Sequence, residues 1–357
     1  MSPSTIGQVS AAQEVIAHAP CRVDLAGGTM DIWPLYLFHP GAVTVNFAVS
    51  VLTRCRIVAL PGKTIRFRSL DTGREEEFSG LDELIAAGKY RHPLAAYLTR
   101  FFAPQGGLEI ETHSESPSGA GISGSSALMI AASAALARFT GRTLDKEQIR
   151  VIAQNLEAQV ISVPTGCQDY YPALYGGVSA IHLDVDGIHH EAVPVAADEL
   201  DRRFVLAHTG APRQSGINNW KVFQAHIAGH RKIVRNFDRI AEIARSMHQA
   251  LLRTDWDDVA RLLREEWKLR RTNAPRITTP LIERLITVAR RNGAEAAKVC
   301  GAGGGGCVVF LCPPEARDRV AQAVAAMAAR SWQRAPPGWG SRSVASLRAS
   351  SAGIQYG

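Results

Sequence analysis

The stretch that most constrains this chain is Ser116-Pro-Ser-Gly-Ala-Gly-Ile-Ser-Gly-Ser-Ser-Ala127, in which three glycines and an adjacent serine pair run straight into the apolar, alanine-rich residues 128–139. Glycines turn the backbone tightly and leave peptide N–H groups free to point at a ligand. A helix starting directly after such a loop adds the positive end of its dipole, so the pattern reads as an anion-binding loop on a helix N-terminus. A bare surface turn before a core helix fits the same letters. The rest of the chain has to decide between them.

With 357 residues, 46% hydrophobic and 20% charged, the chain can bury a large core divided between about two domains. No apolar run is both long enough and free enough of charge to span a bilayer. The first thirteen residues lack the basic and apolar regions of a signal peptide, so a soluble, cytoplasmic protein without a membrane partner is expected. Six cysteines, Cys21, Cys55, Cys167, Cys300, Cys307 and Cys312, are scattered without a C-x-x-C pair or histidines at zinc spacing, and read as reduced core thiols. The net charge of +7 permits nucleic acid, but the arginines of 231–291 alternate with acids on amphipathic stretches, as on a solvated helical face. No nucleic-acid partner is expected. A basic balance also suits a small phosphorylated substrate.

β-Branched and alternating segments predict strands at 42–60, 64–68, 107–113 and 178–183, with helices at 81–87, 93–102, 125–139 and 145–159. After residue 200 the pattern changes to a short strand at 204–208, long helices at 220–250, 255–271 and 280–292, and two apolar strands, 296–300 and 307–311, around a glycine-rich turn. His189-His190 reads as a turn. A domain boundary falls near 200, giving domains at 1–200 and 201–357.

Two glycine patterns mislead by letter. Gly119-Ala-Gly-Ile-Ser-Gly124 matches G-x-G-x-x-G, with Asp145 about twenty residues on, but five residues separate it from the preceding strand and Asp145 starts a helix. Gly301-Ala-Gly-Gly-Gly-Gly306 lacks the Lys-Ser/Thr ending of a P-loop and lies between strands. It is a turn that brings bare backbone close to something.

Phosphoryl transfer needs a magnesium ion, a carboxylate beside the attacking hydroxyl and a cation to offset developing charge. Glu157 near a helix end, Asp169 just after a glycine-bearing loop and Arg22 at the head of a strand ending in Gly27-Gly28 are candidates for these roles. Each alone is more often a member of a surface ion pair; their joint presence is what counts.

Three blocks in order, Arg22-Val-Asp-Leu-Ala-Gly-Gly-Thr-Met-Asp31, residues 117–127, and Lys298-Val-Cys-Gly-Ala-Gly-Gly-Gly-Gly306, resemble the signature motifs of the GHMP kinases. With residues 166–177 they span nearly the whole chain. Within that superfamily the likeness is to sugar 1-kinases, the D-glycero-D-manno-heptose 7-phosphate kinases and the L-fucose kinases. The resemblance implies a two-domain α/β (α+β) fold: an N-terminal domain with a left-handed β-α-β unit and a ferredoxin-like C-terminal domain, with ATP and sugar in the cleft between them.

It also implies roles. The backbone of Pro117, Gly119, Ala120, Gly121, Ile122, Ser123, Gly124, Ser125 and Ser126 would wrap the ATP phosphates, while Ser126 and Glu157 would hold Mg²⁺. Asp169 would accept or orient the proton of the attacking hydroxyl, and Arg22 would steady that carboxylate and the reacting oxygens. Asp31, Gly28, Gly166 and Tyr175 would bind the sugar, with the turn Gly301 to Gly305, Gly303 and Gly304 among it, closing over the sugar or the transferring phosphate. Thr29, Met30 and Tyr170 depart from the heptose-kinase pattern, which leaves the sugar open. For an acceptor that already carries phosphate, Arg213, in a glycine-bearing loop after a strand, is the candidate anchor.

The expectation is therefore an ATP- and Mg²⁺-dependent kinase acting on a small sugar or sugar phosphate at its anomeric hydroxyl. The heptose 7-phosphate comes first, and L-fucose or another free sugar second. A catalytically silent nucleotide- or sugar-binding regulator and an NAD-binding oxidoreductase are the readings from other classes.

Overall fold

β-Branched residues at alternating positions favour extended chain, and the longest such run becomes the strand on which the first domain is built. The computed structural model of the protein describes residues 14–210, 215–331, 344–345 and 349–356. Strands β1 (Glu14–Ala26) and β2 (Ala42–Leu60) pair antiparallel from Glu14 opposite Val58 to Ala26 opposite Val45. Two short strands, β3 (Ile65–Ser69) and β4 (Arg74–Phe78), form a hairpin. The later part of β2 pairs with β5 (Gly107–Ser114) and its start with β6 (Val178–Asp184), which turns into β7 (Gly187–Val193). Among the described residues this sheet has eight strands.

Helices α1 (Leu81–Ala87), α2 (Pro93–Phe102), α3 (Gly124–Phe139), α4 (Lys146–Ile161) and the short α5 (Tyr171–Tyr175) cover the first domain. Eleven of the sixteen residues of α3 are buried, alanines facing both the sheet and α4, which a helix apolar on all sides requires. Asp145 caps α4 in a capping box with Gln148, so it opens a second helix instead of ending a strand. With β5 antiparallel to β2, the dinucleotide fold is excluded, as its sequence context indicated.

The helices α6 (Ala197–Arg203), α7 (Ser215–Ile227), α8 (Arg231–Leu252), α9 (Trp256–Arg270), α10 (Pro280–Arg291) and α11 (Arg317–Ser331) belong to the second half of the chain. Its strands are β8 (Phe204–His208), β9 (Ala296–Val299), β10 (Cys307–Leu311) and β11 (Val344–Ala345), in the spatial order β11-β8-β10-β9. Numbered within this sheet the order is 4-1-3-2, with helices between the first and second and between the third and fourth strands. That is the ferredoxin-like arrangement.

Helix α8 packs on β1, β2 and β7, and α9 on β9 and β1, so one apolar core runs through both domains. All six cysteines are buried thiols outside any disulfide, and burial pushes Cys21, Cys55 and Cys312 up to about 12.

Three details differ from the sequence reading. The single helix expected at 220–250 is two, α7 and α8, because Gly229 takes a left-handed φ of 72° between them. His189-His190 lies within β7 instead of a turn. The chain also ends back on the first sheet: Ala349 bridges Val49, and β12 (Gln355–Tyr356) pairs with β1, so residues 349–356 leave the 201–357 unit.

Candidate active site

Arg22 joins the three motifs at one point. Buried on β1, it donates from Nε and Nη2 to Asp169 Oδ1 at 3.0 and 2.6 Å, and from Nη1 to the carbonyls of Gly121 at 2.9 Å and Cys300 at 2.8 Å. Its backbone N–H donates to Ile122 O, and Cys307 N–H donates to Ala120 O at 2.6 Å. Loop 116–123 is thereby fastened to β1 on one side and to β10 on the other. A guanidinium suits this task because its planar fork of donors serves a carboxylate and two carbonyls together.

Left-handed backbone at Gly119, Gly121 and Ser123 curls this loop onto the N-terminus of α3. Ser123 occupies the N-cap but makes no capping hydrogen bond, and its buried hydroxyl has no partner. The first-turn N–H groups of a helix have no intrahelical acceptor. An unfilled helix start with an orphaned hydroxyl, opening on a cleft of about 440 Å³, fits the phosphates of a nucleotide.

Glu157, on α4, is 3% exposed. Ser125 Oγ donates to its Oε1 and Tyr170 Oη to its Oε2, both at 2.7 Å. Burial pushes its carboxyl above the ordinary range, and the hydroxyls of Ser125, Tyr170 and Ser126 only partly offset that. Its hydrogen-bond partners are neutral hydroxyls. A buried carboxylate among hydroxyls supplies hard oxygen donors and lacks a positive charge, which is what Mg²⁺ requires. The serine hydroxyl bonded to Glu157 is that of Ser125, with Ser126 beside it in the first turn of α3, whereas the sequence reading assigned Ser126 to the metal.

Asp31 also lines the cleft. Its Oδ2 accepts from Gln168 N–H at 2.9 Å, and a Cβ on Gly166 would fall 2.0 Å from the same oxygen, so only glycine lets the two segments meet. A Cβ on Gly28 would strike Asp24, Gln168 and Arg270. Beneath these residues is a buried charge network. Lys298 Nζ sits 3.0 Å from Asp24 and 3.2 Å from Glu266, and Arg270 bonds Glu266 at 2.7 Å and the Gly28 carbonyl at 2.8 Å. Burial opposes ionisation of Asp24, but Lys298, Arg270 and Arg22 together hold its carboxyl below the ordinary range.

Of the residues singled out from sequence, Arg22, Asp31, Pro117, Gly119, Ala120, Gly121, Ser123, Gly124, Ser125, Ser126, Glu157, Gly166 and Asp169 line this cleft, with Ile122 buried behind the loop. Three glycine and tyrosine assignments are corrected. Within the turn expected to close over the substrate, Gly301 and Ala302 reach the cleft, while Gly303 and Gly304 turn toward Ile277, whose carbonyl accepts from Gly304 N–H. Tyr175 stacks on His190 with centroids 4.0 Å apart and receives Lys146 on its ring, so it packs outside the cleft. Arg213 falls outside the described residues.

Sequence reasoning missed Tyr170, Asp24, Glu266, Arg270 and Lys298. Lys298 carried a usable signal: a lysine in the apolar strand Ala296–Val299 has to find a buried counter-charge.

A helix N-terminus, a hydroxyl-lined carboxylate and an arginine-held aspartate around one cleft are groups that phosphoryl transfer uses. The comparisons agree with that chemistry. The family model described as GHMP kinases N terminal domain matches residues 89–177, and that described as GHMP kinases C terminal matches 247–330. The chain carries the N- and C-terminal domains of the GHMP kinases and is an enzyme of the phosphotransferase class.

Among its relatives, a D-glycero-alpha-D-manno-heptose 7-phosphate kinase of Campylobacter jejuni is 27% identical over 86% of this chain and 92% of its own. A bifunctional fucokinase/GDP-fucose pyrophosphorylase of Arabidopsis thaliana is 24% identical over 82% of this chain, but the match spans only 29% of that longer protein. In fold, the chain is similar to a Lactococcus lactis galactokinase solved with galactose, with a TM-score of 0.76, 17% identity and coverage of 96% of this chain and 95% of that one. A D-glycero-D-manno-heptose 1-phosphate kinase from Bacteroides thetaiotaomicron gives a TM-score of 0.73 at 21% identity, covering 96% and 98%.

Proposed function

We propose that this protein is an ATP- and Mg²⁺-dependent sugar kinase that phosphorylates the anomeric hydroxyl of D-glycero-D-manno-heptose 7-phosphate. The observation that carries the reaction is the fixed Arg22–Asp169 pair, which lines the same cleft as the start of α3. The heptose kinase relative, matched along most of both chains, supports the substrate.

In this reading the loop 117–126 and the N-terminus of α3 hold the triphosphate through backbone N–H groups. Glu157, Ser126 and Ser125 hold the Mg²⁺, which supplies positive charge to the phosphate oxygens. Asp169 takes or orients the proton of the sugar hydroxyl, and Arg22 fixes the carboxylate in place. Four hydrogen bonds engage Arg22 already, so its part is to hold Asp169 and the loop in register. Asp31 accepts a sugar hydroxyl. Retention of this geometry argues against a silent regulator, and a cytoplasmic location is part of the same reading. No helix among the described residues is long and apolar enough to cross a membrane.

A second reading, a free sugar such as L-fucose, is favoured by one observation. The cations lining the cleft among the described residues are Arg22 and Arg270, and both are held by carboxylates. A substrate phosphate would then depend on Arg213 or another residue outside that set.

ADP release across a panel of sugars and sugar phosphates, with the product phosphate located by NMR, separates the two readings. Asp169→Asn should abolish turnover while leaving nucleotide binding largely intact, measured by thermal shift with ATP and Mg²⁺. Unchanged turnover in that variant would sink the assignment.

A further inference from the structure

Along the chain the histidines show no metal spacing, but the fold assembles two of them with a glutamate away from the cleft. His182 on β6 is paired with His189 on β7, so Glu191, two residues on, lies on the same face of the hairpin. His248 comes from α8, which packs on β7. His182 Nε2 is 2.8 Å from Glu191 Oε2, and His248 Nε2 is 3.3 Å from Glu191 Oε1. The two imidazole rings stand edge to face with centroids 5.3 Å apart. One ligand atom from each of the three residues lies within 4.8 Å of the others.

An ion pair needs one imidazole for one carboxylate. Here both Nε2 atoms converge on a single carboxylate, one on each oxygen, and none of the three residues lines the phosphoryl-transfer cleft. Ligand atoms about 2.0–2.2 Å from a common centre can be at most about 4.4 Å apart, so small side-chain shifts bring this cluster to that spacing, and two nitrogens with one oxygen suit Zn²⁺ or Co²⁺ far better than Mg²⁺. Exposure is graded as a binding site needs: His248 is 8% exposed and anchored, while His182 and Glu191, at 40% and 43%, stay open to solvent for entry.

We propose that His182, Glu191 and His248 form a transition-metal site of the Zn²⁺ class, separate from the catalytic Mg²⁺, with water completing the coordination. Its position ties the β6–β7 hairpin of the first domain to α8. That helix also sends Ile233, Phe237 and Ile240 into the cluster holding Met30, Ile32 and Leu35, of which Ile32 lines the cleft. Metal bound there stabilises the native arrangement of the two domains by linkage.

The test uses the full chain, stripped with a chelator and titrated with Co²⁺ in excess Mg²⁺, which occupies oxygen-donor sites. One equivalent of Co²⁺ should produce a saturable visible ligand-field band that Zn²⁺ abolishes, and Zn²⁺ should raise the unfolding midpoint. In His182→Gln and His248→Ala the Co²⁺ affinity should fall by about tenfold or more, while Glu157→Gln keeps the band. His182 is half in solvent, so His182→Gln decides the matter if His248→Ala does not fold. No saturable band in the wild type, an unchanged affinity in His182→Gln, or loss of the band in Glu157→Gln would each overturn the proposal.

Discussion

Asp31 shows how much one residue's meaning depends on its surroundings. It is 2% exposed, and burial, helped by the nearby Asp169 carboxylate, pushes its carboxyl up to about 7 against an ordinary 3.8. Between those values the folded chain keeps a proton that the unfolded chain releases, so stability falls as pH rises through that window and levels off above it. Asp31→Asn should remove the slope: measured by urea unfolding, it should match the wild type near about pH 4 and exceed it by on the order of a few kcal/mol near about pH 8. Equal pH dependence in the two proteins would show that Asp31 ionises freely. The sequence marked Asp31 as an acid at the end of a motif; only the contact with Gly166 and Gln168 reveals that it is buried.

Among the elements, the phosphate loop is stabilised from behind by β10. Gly306 has a φ of 75°, and a Cβ there would lie 2.5 Å from the Ala120 carbonyl that receives Cys307 N–H. Gly306→Ala forces a left-handed alanine, at about 1–2 kcal/mol, and pushes the loop off its seat. The expected outcome is an ATP KM raised by on the order of tenfold, with a smaller change in the sugar KM; equal changes in both would mean that the domain, not the loop, had shifted. α2, α3 and β10 were legible because their apolar patterns match their burial. β7 was not, since this edge strand carries the contiguous polar run His189-His190-Glu191, shows no apolar alternation and gains its structure from β6. The α7–α8 break was equally hidden, because a glycine inside a helical pattern is as often tolerated as terminal.

At the scale of the whole molecule, the domains are joined through buried charge as well as through the shared core. Lys298, Asp24, Glu266 and Arg270 are all at or below 7% exposed and connect β1, α9 and β9. Lys298→Met would leave two buried carboxylates with one guanidinium and should destabilise the protein by about 3–5 kcal/mol in urea unfolding. Arg202→Ala, which removes exposed pairs with Asp198 and Glu199, should stay within about 0.5 kcal/mol. Similar losses in both would refute the buried network's role. The sequence by itself determined the class of this protein: glycines that only a tight backbone could use, placed before a helix start, with Arg22, Glu157 and Asp169 at motif positions. Those features are local, set by backbone freedom and apolar periodicity. Only the tertiary structure decided which serine hydroxyls meet Glu157, that Gly303 and Gly304 face away from the cleft, that Lys298 is a buried counter-charge, and that His182, Glu191 and His248 meet. Each of these depends on contacts between residues far apart in the chain, and no spacing along the sequence encodes the packing that brings them together.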